Sequence, residues 1–494
     1  ESLAQYKAKL SPQEIQELVD QTAKLKERQE SEDPPEALAT IPLLSLSDIE
    51  PKIEQLPLAE TEEAGIKTLV HDVFTNNIAY VNLYFDTQGV PQSLIPYVYL
   101  LDGILGRIDT DNYSYVDLSN EINIHTGGIA YKALAYERLD ISGYTPRFVV
   151  KAKVLTAKLP RLNELLGEIL GHSRFDDTKR LKELIQSIKA QWERFILERG
   201  HQVAASRALS YFSPAAKYNE LGVLSFYQFV AALERNFAGR VQEISENLAN
   251  VARIIFNKAN LLISVTIDSK DYCRFQEHLP LLLAQLGDAQ YLPEKYDFEL
   301  SAYNEGLMTS SKVQYVVKAA NVAALGYKYH GGWKVLETIF RYDYLWNKIR
   351  VQGGAYGAFA QFERSGNVVF GSYRDPNLAA TLDVYDQASR YLANFRVDAR
   401  EMTKYIIGTI STLDTPLTPA MKGERAAEYY LKGITPEARQ RERDEILATR
   451  QEDIRQFAEM VKEAMAQNYL CVLGNEELIK AEANRFGRLV NVFA

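Results

Sequence analysis

Arg350 and Tyr356 carry the clearest potential for specialised chemistry in this sequence. They flank Gly353 and Gly354 within YDYLWNKIRVQGGAYGAFA, Tyr342 to Ala360. A guanidinium and a phenol held side by side can both donate to a carbonyl oxygen on which negative charge develops. Each also has a plain role. Arg350 can serve as a helix-end cation worth about 0.3–1 kcal/mol, and Tyr356 can close an apolar strand with its hydroxyl in water. Leu345, Trp346 and Ile349 fall at helical spacing and are expected to face a core. Gly353 and Gly354 then end the helix and reverse the chain, and Ala355 to Phe362 reads as a strand. A phosphate-binding loop needs strand, glycines, helix in that order. Here the order is inverted, which disfavours a small-molecule enzyme using the Gly353 turn for phosphate.

Other chemistries lack a signature. The six histidines, His71, His125, His172, His201, His278 and His330, are scattered, and none belongs to H-x-x-E-H or H-E-x-x-H, the spacings that aim two imidazoles at one zinc. No metal site is therefore assigned to this chain. There is no G-x-S-x-G elbow for a serine nucleophile. The two cysteines, Cys273 and Cys471, are far apart, each near an apolar stretch. They are expected to be buried small hydrophobes and not a disulfide or metal pair, which suits a reducing compartment.

Composition sets the class. A chain of 494 residues with 46% hydrophobic and 24% charged residues is a folded protein of at least two domains. The formal net charge of −9 argues against general nucleic-acid binding, which needs a basic face. No apolar run approaches the roughly 20 residues needed to cross a bilayer. The chain starts at Glu1 without methionine or a signal-like segment, so an N-terminal portion is expected to have been cut away or omitted.

The elements follow from pattern. Ser11, Pro12 and Glu14 form a capping-box start for a helix to about Glu30, stopped by Asp33, Pro34 and Pro35. An extended segment, Ala37 to Ile49, follows, so residues 1–65 read as a linker, either solvated or one arm of a helical hairpin. A first α+β unit, 66–286, has strands at Ile78–Thr87, Ile129–Glu137, Arg147–Leu155 and Leu261–Asp268. Its helices fall near Ser93–Gly106, Leu118–Ile122, Pro160–Leu170, Asp176–Tyr211 and Leu224–Asn250. A polar, turn-rich region from about Gly287 to Ser310 leads into a second unit, 287–494. That unit has strands at Lys312–Ala320 and Tyr469–Asn475, and helices at Trp333–Ile349, Ala379–Leu392 and Ala399–Leu413. The expected architecture is α+β: two tandem homologous domains, each a mainly antiparallel sheet with helices packed on one face.

The homology is internal to the sequence. Asn120-Glu-Ile-Asn-Ile124 parallels Asn347-Lys-Ile-Arg-Val351, and Gly127-Gly128 parallels Gly353-Gly354. Asn260 before LLISV parallels Asn468 before YLCVL. The repeat is too long for a solenoid and reads as one duplication. Where the second copy has Arg350 the first has Asn123, and where it has Tyr356 the first has Ala130 or Tyr131. Residues present in one copy only are candidates for work the shared architecture does not require.

The run LWNKIRVQGGAYG, with SYRDPN at Ser372–Asn377, resembles the C-terminal half of pitrilysin/insulinase-type zinc metallopeptidases, in particular the presequence-protease branch. The resemblance extends over essentially the whole chain. It implies a zinc metalloendopeptidase that degrades unfolded peptides; the compartment is left open, with a reducing soluble one such as the bacterial cytoplasm or an organelle matrix expected from the cysteines. Arg350, Tyr356, Gly353 and Gly354 would contribute substrate-binding and oxyanion-stabilising groups. The zinc, with two His and a distal Glu as ligands, would sit in a missing N-terminal half. This chain alone would hold no cofactor and be inactive, with that half and unfolded peptides as its partners and no membrane or nucleic acid among them. The alternative is a non-catalytic member of the superfamily acting as a structural or substrate-holding subunit. SYRDPN is also expected to form a turn whose Asp or Asn caps the next helix. The aromatics of GERAAEYYLKGITPE, Gly423–Glu437, are expected to pack between helices.

Overall fold

The computed structural model describes residues 2–31, 34, 36, 37, 40–42, 44–139 and 143–493. Two compact units result, 1–49 and 50–494. In the first, the helix Pro12–Glu30 begins as its sequence dictates. The Ser11 hydroxyl accepts from the Glu14 amide at 3.2 Å, and the Glu14 carboxylate accepts from the Ser11 amide at 2.7 Å. The helix ends at Ser31; Asp33 and Pro35, expected to stop it, lie outside the described residues, as does part of the extended segment after it.

The larger unit is built on two six-stranded sheets. The first contains β1 (Ala59–Glu63), β2 (Ile66–Asp72), β3 (Ile78–Asp86), β4 (Ile129–Glu137), β5 (Tyr144–Leu155) and β6 (Leu261–Ile267), in the order β1-β2-β6-β3-β5-β4. The second contains β7 (Glu305–Thr309), β8 (Tyr315–Asn321), β9 (Gly357–Phe362), β10 (Asn367–Tyr373), β11 (Tyr469–Asn475) and β12 (Arg488–Asn491), in the order β12-β7-β11-β8-β10-β9. Apart from the first-named edge strand, the two orders are identical, including one parallel pair in each, β2 with β6 and β7 with β11. The duplication read from short motifs is thus a duplication of topology. The edge strands differ in origin: β1 arrives by a hairpin onto β2, while β12 is the last strand of the chain and runs parallel to β7. The stretch Gly287–Ser310, read as a polar connection, ends in β7, every residue of which is buried.

Each sheet is also covered by a helix from the other half of the chain. Val203, Ala204 and Ala208 of the helix Gly200–Leu209 pack on Val317, Ala319, Cys471 and Leu473 of the second sheet. Reciprocally, Ala427 and Leu431 of the helix Pro419–Lys432 pack on Leu69, Tyr84 and Val149 of the first. Strand residues buried on both faces follow, as in β3, where every residue from Val81 to Phe85 is buried and simple alternation is lost. Where the sequence suggested one helix from Asp176 to Tyr211, the chain forms Thr178–Glu198 and Gly200–Leu209. The break at Arg199 swings the second piece onto the other sheet. A similar interruption at Asn236 divides Leu224–Arg235 from Phe237–Ile255.

The cysteines divide. Cys471 is buried in β11, and burial pushes its thiol up, whereas Cys273 is exposed on the helix Ser269–Leu283, contrary to expectation. Cys273 lies on the solvent stripe of an amphipathic helix whose buried positions are Asp271, Phe275, Leu279, Leu282 and Leu283.

Candidate functional site

The glycine reversal is prepared by an unusual helix. From Gly332 to Ile339 the chain is α-helical, but Phe340–Tyr344 and Trp346–Gln352 are wound with i→i+5 π hydrogen bonding. Such wide turns are rare and recur at functional sites. The buried positions, Phe340, Tyr344, Leu345 and Ile349, recur every four to five residues, matching the π period. Trp346, expected in the core, is 40% exposed because the wider turn carries it off that face.

The wide winding also shapes the exit. Gly354 adopts φ +80°, a left-handed conformation that glycine enters without strain. Its amide donates to the Arg350 carbonyl at 3.0 Å, and the Ala355 amide reaches back to Ile349 at 3.1 Å. A Cβ on Gly353 would lie 2.6 Å from the Ile349 carbonyl oxygen, so both glycines are required by geometry. The equivalent turn in the first half also places its second glycine, Gly128, at positive φ, +112°. Counted from these left-handed glycines, Tyr356 corresponds to Ala130; both are exposed. The first half therefore offers a methyl where the second offers a phenol.

Tyr356 enters the sheet held by its backbone. Its amide donates to the carbonyls of Tyr373 at 3.1 Å and Arg374 at 3.3 Å, and its ring meets the Tyr373 ring edge-on at 5.6 Å. The side chain is nevertheless 65% exposed, and its hydroxyl has no hydrogen-bond partner among the described residues. Arg350 is exposed as well. Its guanidinium lies 4.2 Å from the Trp346 ring centre and 5.6 Å from that of Tyr356, with no carboxylate partner among the described residues. A cation and a phenol, fixed at their bases and unsatisfied at their tips, thus stand together on the surface.

SYRDPN braces this arrangement. The Asn377 side-chain amide donates to the Gly353 carbonyl at 2.6 Å, and Pro376 packs over Gly354. Burial pushes the Asp375 carboxyl above its ordinary range, opposed by bonds from the Thr381 hydroxyl at 2.6 Å and the Asn377 amide at 2.9 Å. The turn expected here is present, but the cap is not. The helix Ala379–Ala393 starts after Leu378 without a side-chain cap, because Asp375 is spent on Thr381 and Asn377 on the glycine turn. Arg374, at φ +49°, projects beside Tyr373 with its guanidinium 5.6 Å from that ring. Pattern reading missed Tyr373 and Arg374 as neighbours of Tyr356; the only signal was their position on the strand paired with it.

Among the described residues no group of three or more His, Cys, Asp or Glu side chains is placed to hold a metal. The donor set for zinc is not assembled here. Nor is any helix among them long and apolar enough to cross a membrane.

Comparison with known proteins gives the same direction. A family model described as associated with peptidase family M16, subgroup C, matches residues 1–233, and one described as PreP C-terminal domain matches residues 304–474. The chain is 42% identical to Protein HypA of Clostridium perfringens, over 99% of this chain and 50% of that protein. It is 32% identical to presequence protease 1, chloroplastic/mitochondrial, of Arabidopsis thaliana, over 98% of this chain and 45% of that one. It therefore spans about half the length of these relatives. Its fold is shared with the crystal structure of a peptidase M16 inactive domain from Pseudomonas fluorescens, with a TM-score of 0.57 and 12% identity, covering 85% of this chain and 97% of that one. A protease from Helicobacter pylori gives a TM-score of 0.58 at 12% identity, covering 85% and 99%. With two family models matching residues 1–233 and 304–474 and relatives aligned over nearly all of its length, the chain belongs to the pitrilysin-like peptidase M16 family, as a C-terminal half of the presequence-protease type.

Proposed function

We propose that this chain completes a zinc endopeptidase acting on unfolded peptides, by presenting Arg350 and Tyr356 to a peptide held at the metal of an N-terminal half. The observation that carries this reading is the pair's unsatisfied state. Tyr356 has a fixed backbone and an unbonded hydroxyl, and Arg350 has a stacked guanidinium and no counterion among the described residues. Protein cores and surface ion pairs do not need such an arrangement, whereas an incoming carbonyl oxygen does.

Hydrolysis of an amide moves negative charge onto the carbonyl oxygen. The Tyr356 phenol would donate to that oxygen, and Arg350 would hold a neighbouring carbonyl while adding positive field. Pre-positioning matters because groups already oriented need no reorganisation as charge develops. The glycines keep both groups at the lip of the turn, and Asn377 fixes the Gly353 carbonyl that sets its shape. Zinc and its activated water would belong to the other half; among the described residues no group of three or more His, Cys, Asp or Glu side chains is placed to hold a metal. The separate chain is accordingly expected to be hydrolytically inert.

Tyr356→Phe in the complete two-half enzyme tests this. The expected result is a fall in kcat of about 10² or more with little change in thermal stability, as loss of an oxyanion donor typically produces. An unchanged kcat would sink the assignment and favour a structural or substrate-holding role for this fold.

A further inference from the structure

A second concavity carries charge that the Arg350–Tyr356 pair does not use. It is a cavity of 610 Å³ between the segment Glu50–Leu56, the end of the helix Ala399–Leu413, and the helices Pro419–Lys432 and Pro436–Ala448. Two of its arginines are neutralised within the wall. Arg364 makes a bidentate pair with Glu442 at 2.7 and 2.8 Å, and Arg443 pairs with Asp414 at 2.7 and 2.8 Å. Two others are not. Arg439 donates only to the neutral Glu54 carbonyl, at 2.9 Å, and stacks on the Tyr429 ring at 4.8 Å. Arg425 has no partner among the described residues, and neither has the Tyr429 hydroxyl. Of the other carboxylates lining the cavity, Glu54 accepts from Lys422 at 2.5 Å and Glu50 from the Lys52 amide at 3.1 Å, and neither bonds Arg425 or Arg439. Tyr429, expected to pack between helices, instead lines this cavity with the guanidiniums of Arg439 and Arg364 over its ring; Tyr430, next in sequence, does pack on the first sheet.

We infer that this cavity is a carboxylate-binding subsite for the peptide, formed by Arg425, Arg439 and the Tyr429 hydroxyl. The inference rests on the peptide reading above. Two half-buried guanidiniums on separate helices, with a phenol donor lining the same cavity, match a carboxylate's two acceptor oxygens. The location suits a distal anchor. Leu413 lines both this cavity and a neighbouring hollow of 330 Å³ along β9, lined by Ala358–Gln361 with Arg341 and Tyr342. The two hollows thus adjoin at Leu413, and the second runs along β9, the strand that follows Tyr356. At about 3.3 Å per residue, β9 spans about 17 Å, and Arg364, beyond its far end, lines the cavity, so the recognised acid group lies at least about five residues from the carbonyl that Tyr356 engages. That group is either the chain's terminal carboxylate or an acidic side chain.

Calorimetric titration of the 494-residue chain with three unstructured dodecapeptides of one neutral sequence tests this. The first has a free C-terminus, the second is amidated, and the third is amidated with one glutamate near its end. The expected result is about tenfold tighter binding of a carboxylate-bearing peptide than of the neutral one. Whether the first or the third shows the gain identifies the source of the acid group. Arg425→Gln, which breaks no hydrogen bond or ion pair among the described residues and should leave folding intact, should reduce the preference, and Arg425→Gln with Arg439→Gln should abolish it while neutral-peptide affinity stays. Tyr356→Phe should leave the preference untouched, which separates this subsite from the oxyanion role. Equal binding of all three peptides, binding of none, or a preference that survives the double substitution would each overturn the inference.

Discussion

The guanidinium of Arg350 lies 4.2 Å from the ring centre of Trp346, four residues earlier on a helix wound in π register. In an α-helix continued at 3.6 residues per turn, the spacing places Trp346 on the face of Leu345 and Ile349, in the core. The π winding brings it out to 40% exposure and makes it a platform for Arg350. A stack of this kind contributes about 0.5–1 kcal/mol at an exposed site, and its main effect is to restrict a long side chain to one direction.

Trp346→Ala in the complete enzyme should therefore raise KM several-fold and lower kcat less, because Arg350 keeps its charge but loses its direction. Arg350→Lys should raise KM further, since an ammonium neither stacks as a plane nor forks to two acceptors. Steady-state kinetics on both variants check this. An unaltered KM in Trp346→Ala would show that the stack does not position Arg350.

The strands were legible because their apolar runs are short and bounded by turns, and the duplication because paired glycines and asparagines survive in both halves. The glycine reversal was legible for a physical reason: few residues can enter φ near +80°, so Gly354 announces itself. What lay beyond reading was tertiary. Nothing in YDYLWNK marks π winding, since that state is selected by where Phe340, Tyr344 and Ile349 find a core. The exchange of covering helices was equally silent, because Val203 or Ala427 is apolar whichever sheet it meets. Cys273 misled because its neighbourhood in sequence is apolar on average while its own side of the helix is not.

The exchanged helix Pro419–Lys432 depends on a small residue. A Cβ built on Gly423 would fall 1.7 Å from the Thr266 hydroxyl oxygen on β6, so the helix sits on the first sheet only because there is no side chain there. On propensity alone Gly423→Ala would stabilise the helix by about 1 kcal/mol. The clash predicts the opposite sign, a loss of about 1–3 kcal/mol, measured as a lowered urea midpoint. Adding Thr266→Ala to the same chain should recover part of the loss, giving a non-additive cycle.

The reciprocal lock is polar. Arg207 of the helix Gly200–Leu209 donates to both oxygens of Glu305 on β7, at 2.6 and 3.0 Å, with Tyr211 donating to the same carboxylate at 2.9 Å. Both Glu305 and the Tyr211 ring are buried. Glu305→Ala leaves a guanidinium with reduced compensation in the interior and should cost about 3–5 kcal/mol. Arg207 also pairs with the fully buried Glu220 at 3.1 Å, so replacing all three together, as in Arg207→Met with Glu305→Leu and Glu220→Gln, should cost less than Glu305→Ala alone. Chemical denaturation of the three chains decides between a lock that stabilises and one that only specifies which helix covers which sheet.

A last expectation concerns pH. Asp102, on the helix Ile95–Ile104, has its carboxyl pushed up to about 7 from an ordinary 3.8 by burial, with a bond from the Ala133 amide and the charge of Lys132 opposing. The folded state thus holds a proton that the unfolded chain has released between about pH 4 and 7. With more protons bound in the native state, stability falls as pH rises through that interval and levels off above it. Asp102→Asn keeps an acceptor for the Ala133 amide without a charge to bury. Its melting temperature should exceed that of the unmodified chain at pH 8, by the equivalent of about 1–2 kcal/mol, and the gap should close as the pH approaches 4. A gap that is constant across this range would mean that the Asp102 carboxyl does not titrate there, and that the gain comes from packing alone.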